Sequence, residues 1–286
     1  MIILKPQVEL WVQDDPIAHV ARCARVCYAS DKTTGNEAMY QRLIDANHKS
    51  MLRHQSVYYI IPYRDWRVAN LQRYKECPYL EFKYDSDYIY ISTNKQFVIE
   101  HNDFDESYRV FEVDGIEFEN TPIGFSLMRY TFRVVTQISI SRELNRVSPN
   151  NISEQSTRYI NLSRKGGAIC QPHWMTDEDV KSWEDDDIDS FSKIAIYLNS
   201  CKQDFEDYNF LLELGMLPED ARGILPLDTA TVCVYTYTIA EWRHIIDLRY
   251  YGTTGAAHPN AVIIAGMIRE KLIELGYEFP KTKKED

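Results

Sequence analysis

Two stretches of this chain pass from a strand pattern directly into a helix pattern, and any fold must accommodate both. Phe132 to Ile138 is rich in β-branched residues and yields to a helix through Arg146. Thr229 to Thr238 alternates, again with β-branched residues, and yields to a helix over Ile239 to Arg249. β-Branched side chains suit the pleated surface of a strand, and apolar residues spaced three and four apart suit one face of a helix. Strands that feed helices in this way call for sheet packed against helix. Other segments agree. Asp14-Asp15-Pro16 is an acidic cap with proline in the first turn, and the helix it opens places Ile17, Val20, Ala21, Ala24 and Cys27 on one side. Glu37 to Asn47 reads as a helix, Val57 to Ile61 as a strand, and Asp65 to Glu76 as a helix broken by Pro78. Thr176-Asp177-Glu178-Asp179 caps a long helical region reaching Gly215, whose acid run Glu184 to Asp187 is a solvated face or a break between two helices. A short helix starts at Pro218 and ends at Pro226, and the last helix runs from Pro259 to Leu275. The expected class is α+β, a mixed sheet flanked by helices.

The stretch from Tyr79 to Glu119 is harder to read. Tyr88-Ile89-Tyr90-Ile91 is strand-like, and Val110 to Phe118 alternates around Asp114-Gly115, a pair suited to a hairpin turn. A hairpin lobe around 79–126 is expected. Pro149-Asn150-Asn151 is a turn, and the tail Lys281 to Asp286 is expected to be disordered. Neither a repeat nor a linker divides the 286 residues, so a single domain over 1–286 is expected.

Composition narrows the function. Hydrophobic residues make up 44% and charged residues 26%, as in an ordinary globular protein. The formal net charge of −11 opposes binding to nucleic acid or an anionic membrane, so an anionic small ligand must be held by a local arginine cluster. Signal-like and membrane-spanning stretches are not seen, and a cytoplasmic protein is expected. The six cysteines lack paired C-x-x-C spacing and read as reduced thiols, not metal ligands.

The chemistry concentrates between Ile140 and Tyr159, ISRELNRVSPNNISEQSTRY. Its part from Ser153 to Tyr159 joins a carboxylate, an amide, three hydroxyls, a guanidinium and a phenol with no apolar side chain between them. A buried strand or helix would need a hydrogen-bond partner for each. The run suits a polar, planar, anionic ligand.

This segment resembles the signature of the flavin-dependent thymidylate synthases, R-H-R-x7-S, extended in many members as I-S-R-E-L-V-R-H-R and later E-S-T-R-Y. Ile140-Ser141-Arg142-Glu143-Leu144 and Ser156-Thr157-Arg158-Tyr159 match it. Where that family has Arg-His-Arg, this chain has Arg146-Val147-Ser148. Further segments match in order. Ala24 to Tyr28 resembles the family's first helix. His48-Lys49-Ser50 with His54 resembles G-H-x-S-x-x-E-H, with Asn47 for Gly and Arg53 for Glu. Ala221 to Pro226 resembles A-R-x-x-L-P, and Glu241 to Arg249 with Ala257-His258-Pro259 resembles E-W-R-H-F-F-x-L-R…A-H-P. The region 79–126 is longer than in that family and reads as an insertion.

The resemblance implies transfer of a one-carbon unit from methylenetetrahydrofolate to C5 of dUMP, with hydride from FAD reduced by NADPH, in a homotetramer whose sites lie at subunit junctions. It implies nucleotide contacts from Glu143, Arg146, Glu154, Gln155, Ser156, Arg158, Arg222 and Arg249, with Arg249 set against the uracil ring during catalysis. Ser156 is the other candidate at the reacting centre; nothing near it in sequence serves as a base, so a hydrogen-bonding role is expected. It implies flavin contacts from His48, Ser50, Arg146, Val147, Ser148, Glu154 and His244, although Val147 cannot hydrogen-bond and Ser148 brings no charge. Asn150 and Asn151 are candidates to replace what the triplet lacks. Plainer roles stand beside these: Arg249 as a helix-end cation, Arg158 paired with Glu154, and Arg222 paired with Glu219 or Asp220. The altered triplet leaves open a related pyrimidine nucleotide such as UMP, or a non-catalytic nucleotide-binding homologue with impaired flavin binding.

Overall fold

The computed structural model describes residues 1–28, 34–158 and 167–281. Tyr159 and the end of the tail, 282–286, lie outside the described residues. The strands are β1 (Ile2–Leu4), β2 (Gln7–Trp11), β3 (Ser56–Pro62), β4 (Glu81–Tyr84), β5 (Tyr88–Asn94), β6 (Glu112–Val113), β7 (Arg129–Gln137), β8 (Ile152–Glu154), β9 (Ala168–Cys170) and β10 (Ala230–Thr238). The helices are α1 (Pro16–Tyr28), α2 (Asn36–Asp45), α3 (Lys95–Glu100), α4 (Asn102–Tyr108), α5 (Gly115–Glu119), α6 (Pro122–Phe125), α7 (Ile138–Leu144), α8 (Asp177–Glu184), α9 (Lys193–Glu213), α10 (Pro218–Ala221), α11 (Ile239–Arg249) and α12 (Pro259–Glu274).

The architecture is α+β. One antiparallel sheet has the order β2-β7-β10-β8, a second has β4-β5-β3-β6, and β1 pairs with β9 in parallel. Both strand-to-helix passages form as the pattern implies: β7 runs into α7, and β10 into α11. The second junction is fixed by a capping box, in which the Thr238 hydroxyl accepts from the Glu241 N–H and the Glu241 carboxylate accepts from the Thr238 N–H.

The two faces of the first sheet differ in chemistry. On one, Tyr130, Phe132, Val134, Cys233, Tyr235 and Tyr237 join one apolar cluster with residues of α7, α11 and α12. Trp242 sits at its centre, edge-on to Phe132 with ring centroids 5.1 Å apart, and its indole N–H donates to the Tyr130 carbonyl at 3.1 Å. On the other face Thr131 and Thr236 lie opposite one another, with hydroxyls 2.7 Å apart. His19 on α1 bonds Thr131 at 3.1 Å, and His54, from a 3-10 segment Lys49–His54, bonds Thr236 at 2.8 Å. A buried polar seam therefore lies where the first sheet meets α1 and this 3-10 segment.

Several expectations are corrected. Asp65 caps a 3-10 segment, Trp66–Tyr74, in place of an α-helix. Val110 to Phe118 is not a hairpin: Asp114 accepts from the Glu117 N–H at 2.7 Å and caps α5. The hairpin in this region is β4–β5, which pairs with β3 and shares a core with Leu71, Phe97, Phe104 and Tyr108. The acid run at 184–187 follows the second of its two expected readings, a break between helices α8 and α9. Asn47, standing where the resembled motif has Gly, adopts φ 56°, a region that Asn tolerates better than most side chains. Among the described residues no helix is long and apolar enough to cross a membrane.

Candidate functional site

The polar run begins as a strand. β8 pairs with β10 at the edge of the first sheet, and the Gln155 N–H extends the pairing to the Val232 carbonyl at 2.9 Å. This differs from the sequence expectation that such a run avoids a core strand. It is tolerated because its buried groups are satisfied: the Ser153 hydroxyl donates to the Cys23 carbonyl at 2.6 Å. The Glu154 carboxylate accepts from Ser141 at 2.8 Å and Thr231 at 3.3 Å. It therefore ties the run to α7 and does not pair with Arg158. The Ser156 N–H then bonds the Cys27 carbonyl at 3.0 Å, and its hydroxyl accepts from the Arg158 N–H at 3.1 Å.

Past the sheet edge the run meets α10. Arg158 pairs with the Glu219 carboxylate at 2.9 Å. Arg222 donates to the Glu219 carbonyl and to the Thr157 hydroxyl, both at 3.0 Å. Two of the expected nucleotide arginines, 64 residues apart in sequence, thus meet at Glu219 of α10. Arg222 uses the Glu219 backbone and not a carboxylate, and Arg158 uses Glu219 and not Glu154, so both plainer pairings are replaced. Arg158, Arg222 and Glu219 are exposed, so the pair contributes little to stability and the guanidinium forks face solvent.

Arg249, in the last turn of α11, reaches α7. It donates to the Glu143 carbonyl at 2.6 Å and pairs with the Glu143 carboxylate at 3.0 Å, with its side chain only 13% exposed. It is a fixed cation held by a named acid, not a loose helix-end charge. Glu143 lies two residues beyond Ser141, which holds Glu154, so a chain of contacts joins Arg249 to the polar run. Arg146 is exposed, and its guanidinium donates to the carbonyls of Arg142 and Asn145.

The expected flavin contacts differ in exposure. His48, Ser50 and His244 are exposed. Val147 packs against the main apolar cluster, and Ser148 is exposed. Sequence reasoning singled out Arg53 and Asn151 but missed Arg129 and the cleft that brings the three together. Arg53, Arg129 and Asn151, with Tyr79, Asn94, Pro149, Thr236 and Glu241, line a cleft at the polar seam. The signal that could have found it was the replacement of the motif's Glu by Arg53. Within this region the Arg129 Nε and the Asn151 Oδ1 are buried and unpartnered, one donor and one acceptor. A group with anionic oxygens and a planar amide-like edge, such as a flavin nucleotide, needs donors and acceptors of this kind. The cleft has room for only about 10 Å³ and carries the Glu241 carboxylate on its wall, so it does not fit a flavin, and Val147 is taken up by the apolar cluster.

The seam is held neutral. His19 is lowered from 6.5 to about 4, by burial first and then by Arg22. His54 is lowered from 6.5 to about 3, by burial first and then by His19, Arg129 and Arg53. The direction of hydrogen bonding follows from Arg22, which can only donate. It donates to His19 Nδ1 at 2.7 Å, so His19 Nε2 carries the proton and donates to Thr131. The chain continues from Thr131 to Thr236 at 2.7 Å and from Thr236 to His54 Nδ1 at 2.8 Å, and His54 Nε2 is buried without a partner among the described residues.

A family model described as thymidylate synthase complementing protein matches residues 124–275, more than half of the 286-residue chain. The flavin-dependent thymidylate synthase of Haloarcula marismortui is 27% identical over 180 residues, covering 58% of this chain and 67% of that protein. That of Halobacterium salinarum is 32% identical over 123 residues, covering 39% and 50%. A probable flavin-dependent thymidylate synthase of Paramecium bursaria Chlorella virus 1 is 39% identical over 82 residues, covering 29% and 35%. The chain thus spans from about a third to two thirds of the length of these curated relatives. Among solved structures, a UMP/dUMP methylase PolB from Streptomyces cacaoi with 5-Br dUMP bound is 15% identical, with a TM-score of 0.45 over 96% of this chain and 93% of that one. The matched segment contains α7, the polar run, Arg222 and Arg249, and on it the chain belongs to the thymidylate synthase complementing protein family.

Proposed function

We propose that this chain is a methyltransferase that converts dUMP to dTMP, with methylenetetrahydrofolate as carbon donor. The observation that carries this reading is the assembly of Arg158 and Arg222 on α10 beside Thr157 and Ser156, with Arg249 fixed by Glu143. A nucleotide phosphate carries about two negative charges near neutral pH. Paired guanidinium forks suit it, and with a net charge of −11 the protein supplies no background attraction.

Uracil C5 is a weak nucleophile until negative charge builds on the ring. A cation held against the O2 and N3 edge stabilises that charge. Arg249 fills this role because Glu143 holds it before substrate arrives, so little reorganisation accompanies the step. The one-carbon unit then bonds to C5, and the C5 proton leaves. When bound, FAD reduced by NADPH supplies the hydride that completes the methyl group. Arg146, Glu154, His48, Ser50 and His244 are the residues of this chain that would hold it. Ser156 hydrogen-bonds the nucleotide; its hydroxyl faces the Arg158 N–H and no base.

Exposed His48, Ser50 and His244 in one protomer are consistent with a flavin site completed by neighbouring subunits, and the assembly is a homotetramer. Sedimentation with FAD present tests it, and a monomer at micromolar concentration would refute it. One observation favours a second reading, a nucleotide-binding homologue without turnover: Val147 is turned into the apolar cluster and Ser148 brings no charge. Tritium release from C5-labelled dUMP and from C5-labelled UMP decides. Release from dUMP supports the main reading, release from UMP alone reassigns the substrate, and binding without release supports the second.

A further inference from the structure

The resemblance sets Val147 and Ser148 against a flavin and leaves Asn150 and Asn151 to replace what the triplet lacks. In the structure this segment is turned to protein. Val147 packs against the main apolar cluster. The Asn150 side-chain oxygen accepts from the hydroxyl of Tyr237, a fully buried residue of β10. The Asn150 carbonyl accepts from Arg53 Nη1 at 2.9 Å. Asn151 is 5% exposed, and its amide nitrogen donates to the carbonyls of Arg53 and Thr236 at 2.9 and 2.8 Å. Its own carbonyl accepts from the Thr236 N–H at 3.3 Å, and Ile152 then pairs with Tyr235 as β8 begins. Neither asparagine offers a cation, and the groups just named are spent on β10 and the 3-10 segment.

Arg53 fastens this segment to a third element. Its Nε donates to the Gln96 side chain on α3 at 2.7 Å, and its guanidinium lies over the Tyr79 ring, 4.8 Å from the centroid. Tyr79 and Gln96 belong to the region 79–126, which is longer here than in the resembled family. One planar fork, with donors in fixed directions, thus joins the segment after the triplet to the inserted lobe. Arg53 stands where the resembled motif has Glu. An ionised glutamate has only acceptor oxygens, so it has no proton to give the Asn150 carbonyl. The exchange of Glu for Arg and the loss of the triplet's His and second Arg therefore meet at one contact.

We infer that Arg53 is a latch that commits residues 147–151 to the lobe and the first sheet, so that in this chain the flavin is bound without this segment. The cofactor half of this inference rests on the flavin reading above; the latch itself does not.

The test uses the full chain in two arms. In the first, flavin fluorescence follows FAD titrations of the wild type, of Ser148→Arg at its exposed position, and of Val147→His with Ser148→Arg. Restoring the family residues leaves the FAD Kd within about twofold of wild type, because the segment does not face the cofactor. A Kd lowered tenfold or more in either variant overturns the inference, and Ser148→Arg keeps the arm readable if a buried imidazole at 147 prevents folding. The second arm needs no flavin. Amide hydrogen exchange is compared for wild type, Arg53→Glu and Arg53→Lys. Exchange over 147–155 and around Thr236 rises about tenfold or more in Arg53→Glu, as local opening requires, rises less in Arg53→Lys, and stays unchanged in α9. Exchange within twofold of wild type at 147–155 in both variants overturns the latch, and so does equal acceleration throughout, α9 included. If the wild type binds dUMP but takes up no FAD, the flavin reading fails by itself, and the exchange arm still decides the latch.

Discussion

Arginines in this molecule are prepared in two ways. At the rim of the first sheet, Arg158 and Arg249 are each matched by an acid, Glu219 and Glu143. At the seam, Arg53 and Arg129 are hydrogen-bonded to neutral acceptors, with the Glu241 carboxylate nearby on the same cleft wall. An acid partner keeps a guanidinium in place and lowers the field an incoming anion feels. Neutral acceptors keep it in place and leave the field intact. Exposed Arg158 can afford the first arrangement, because solvent weakens its pair and an anion can displace the carboxylate. The seam is buried, so its cations instead push on their neighbours, and His54 stays neutral beside them.

The largest effect tests the seam. His19 and His54 have folded values near 4 and 3, below the 6.5 of the unfolded chain. Below pH 6.5 the unfolded state binds more protons, so stability falls with pH. Each histidine costs about 1.4 kcal/mol per pH unit once well below 6.5, down to about pH 4 for His19 and 3 for His54. Glu81, raised from 4.5 by burial, offsets part of this, because it holds its proton more tightly when folded. Urea melts at pH 7.5, 6 and 5 should show a steep loss beginning near 6. A flat profile would mean that the two histidines are hydrated in solution and the seam is no drier than the rim.

Next in size is Arg249→Ala at the rim. If Arg249 acts on developing ring charge, turnover falls by about a hundredfold or more with a smaller change in nucleotide affinity. Glu143→Gln sharpens this, since it keeps the carbonyl contact and removes the charge that orients the guanidinium. Turnover should fall less than in Arg249→Ala. An effect confined to KM in both variants would move Arg249 from the ring to simple binding.

Arg222→Ala and Arg158→Ala come third. Each removes a fork that acts alike on ground and transition states, so nucleotide affinity should drop about tenfold or more with little change in kcat. Isothermal titration with dUMP reads it. Unchanged affinity in both would detach the nucleotide from α10.

Legibility in the sequence follows the same division. β10, α11 and α12 could be read to within a residue, and β7 to within three at its start, because their signals are local: β-branching, the Thr238–Glu241 cap, and proline at Pro259. Asp114-Gly115 misled for a local reason as well. The pair suits a turn, but Asp114 can equally cap a helix, and packing of Phe118 beneath Tyr58 decides for α5. The rim cluster was legible as a residue list and not as a set of contacts, since Glu219, 61 residues from Arg158, is its organiser. The seam was not legible at all. His54 meets Thr236 across 182 residues, and Arg53 meets Asn150 across 97. Nothing in either local pattern distinguishes a buried polar seam from an ordinary loop.

The smallest effect bears most directly on the contrast between the two arrangements. Glu219→Gln removes the acid from the rim without disturbing the Glu219 carbonyl that Arg222 uses. The ion pair is exposed, so thermal stability should change by less than about 1 kcal/mol. The Glu219 charge that offsets the field of the Arg158 guanidinium would then be gone. Affinity for dUMP should rise a few-fold, and the gain should shrink as salt is added, because exposed charges are screened. The same titration in Arg158→Ala/Glu219→Gln should show no such gain, since the cation that Glu219 opposes is gone. Weaker dUMP binding in Glu219→Gln would show instead that this acid positions Arg158 for the phosphate, as Glu143 is argued to position Arg249, and the rim would then work by alignment and not by exchange of anions.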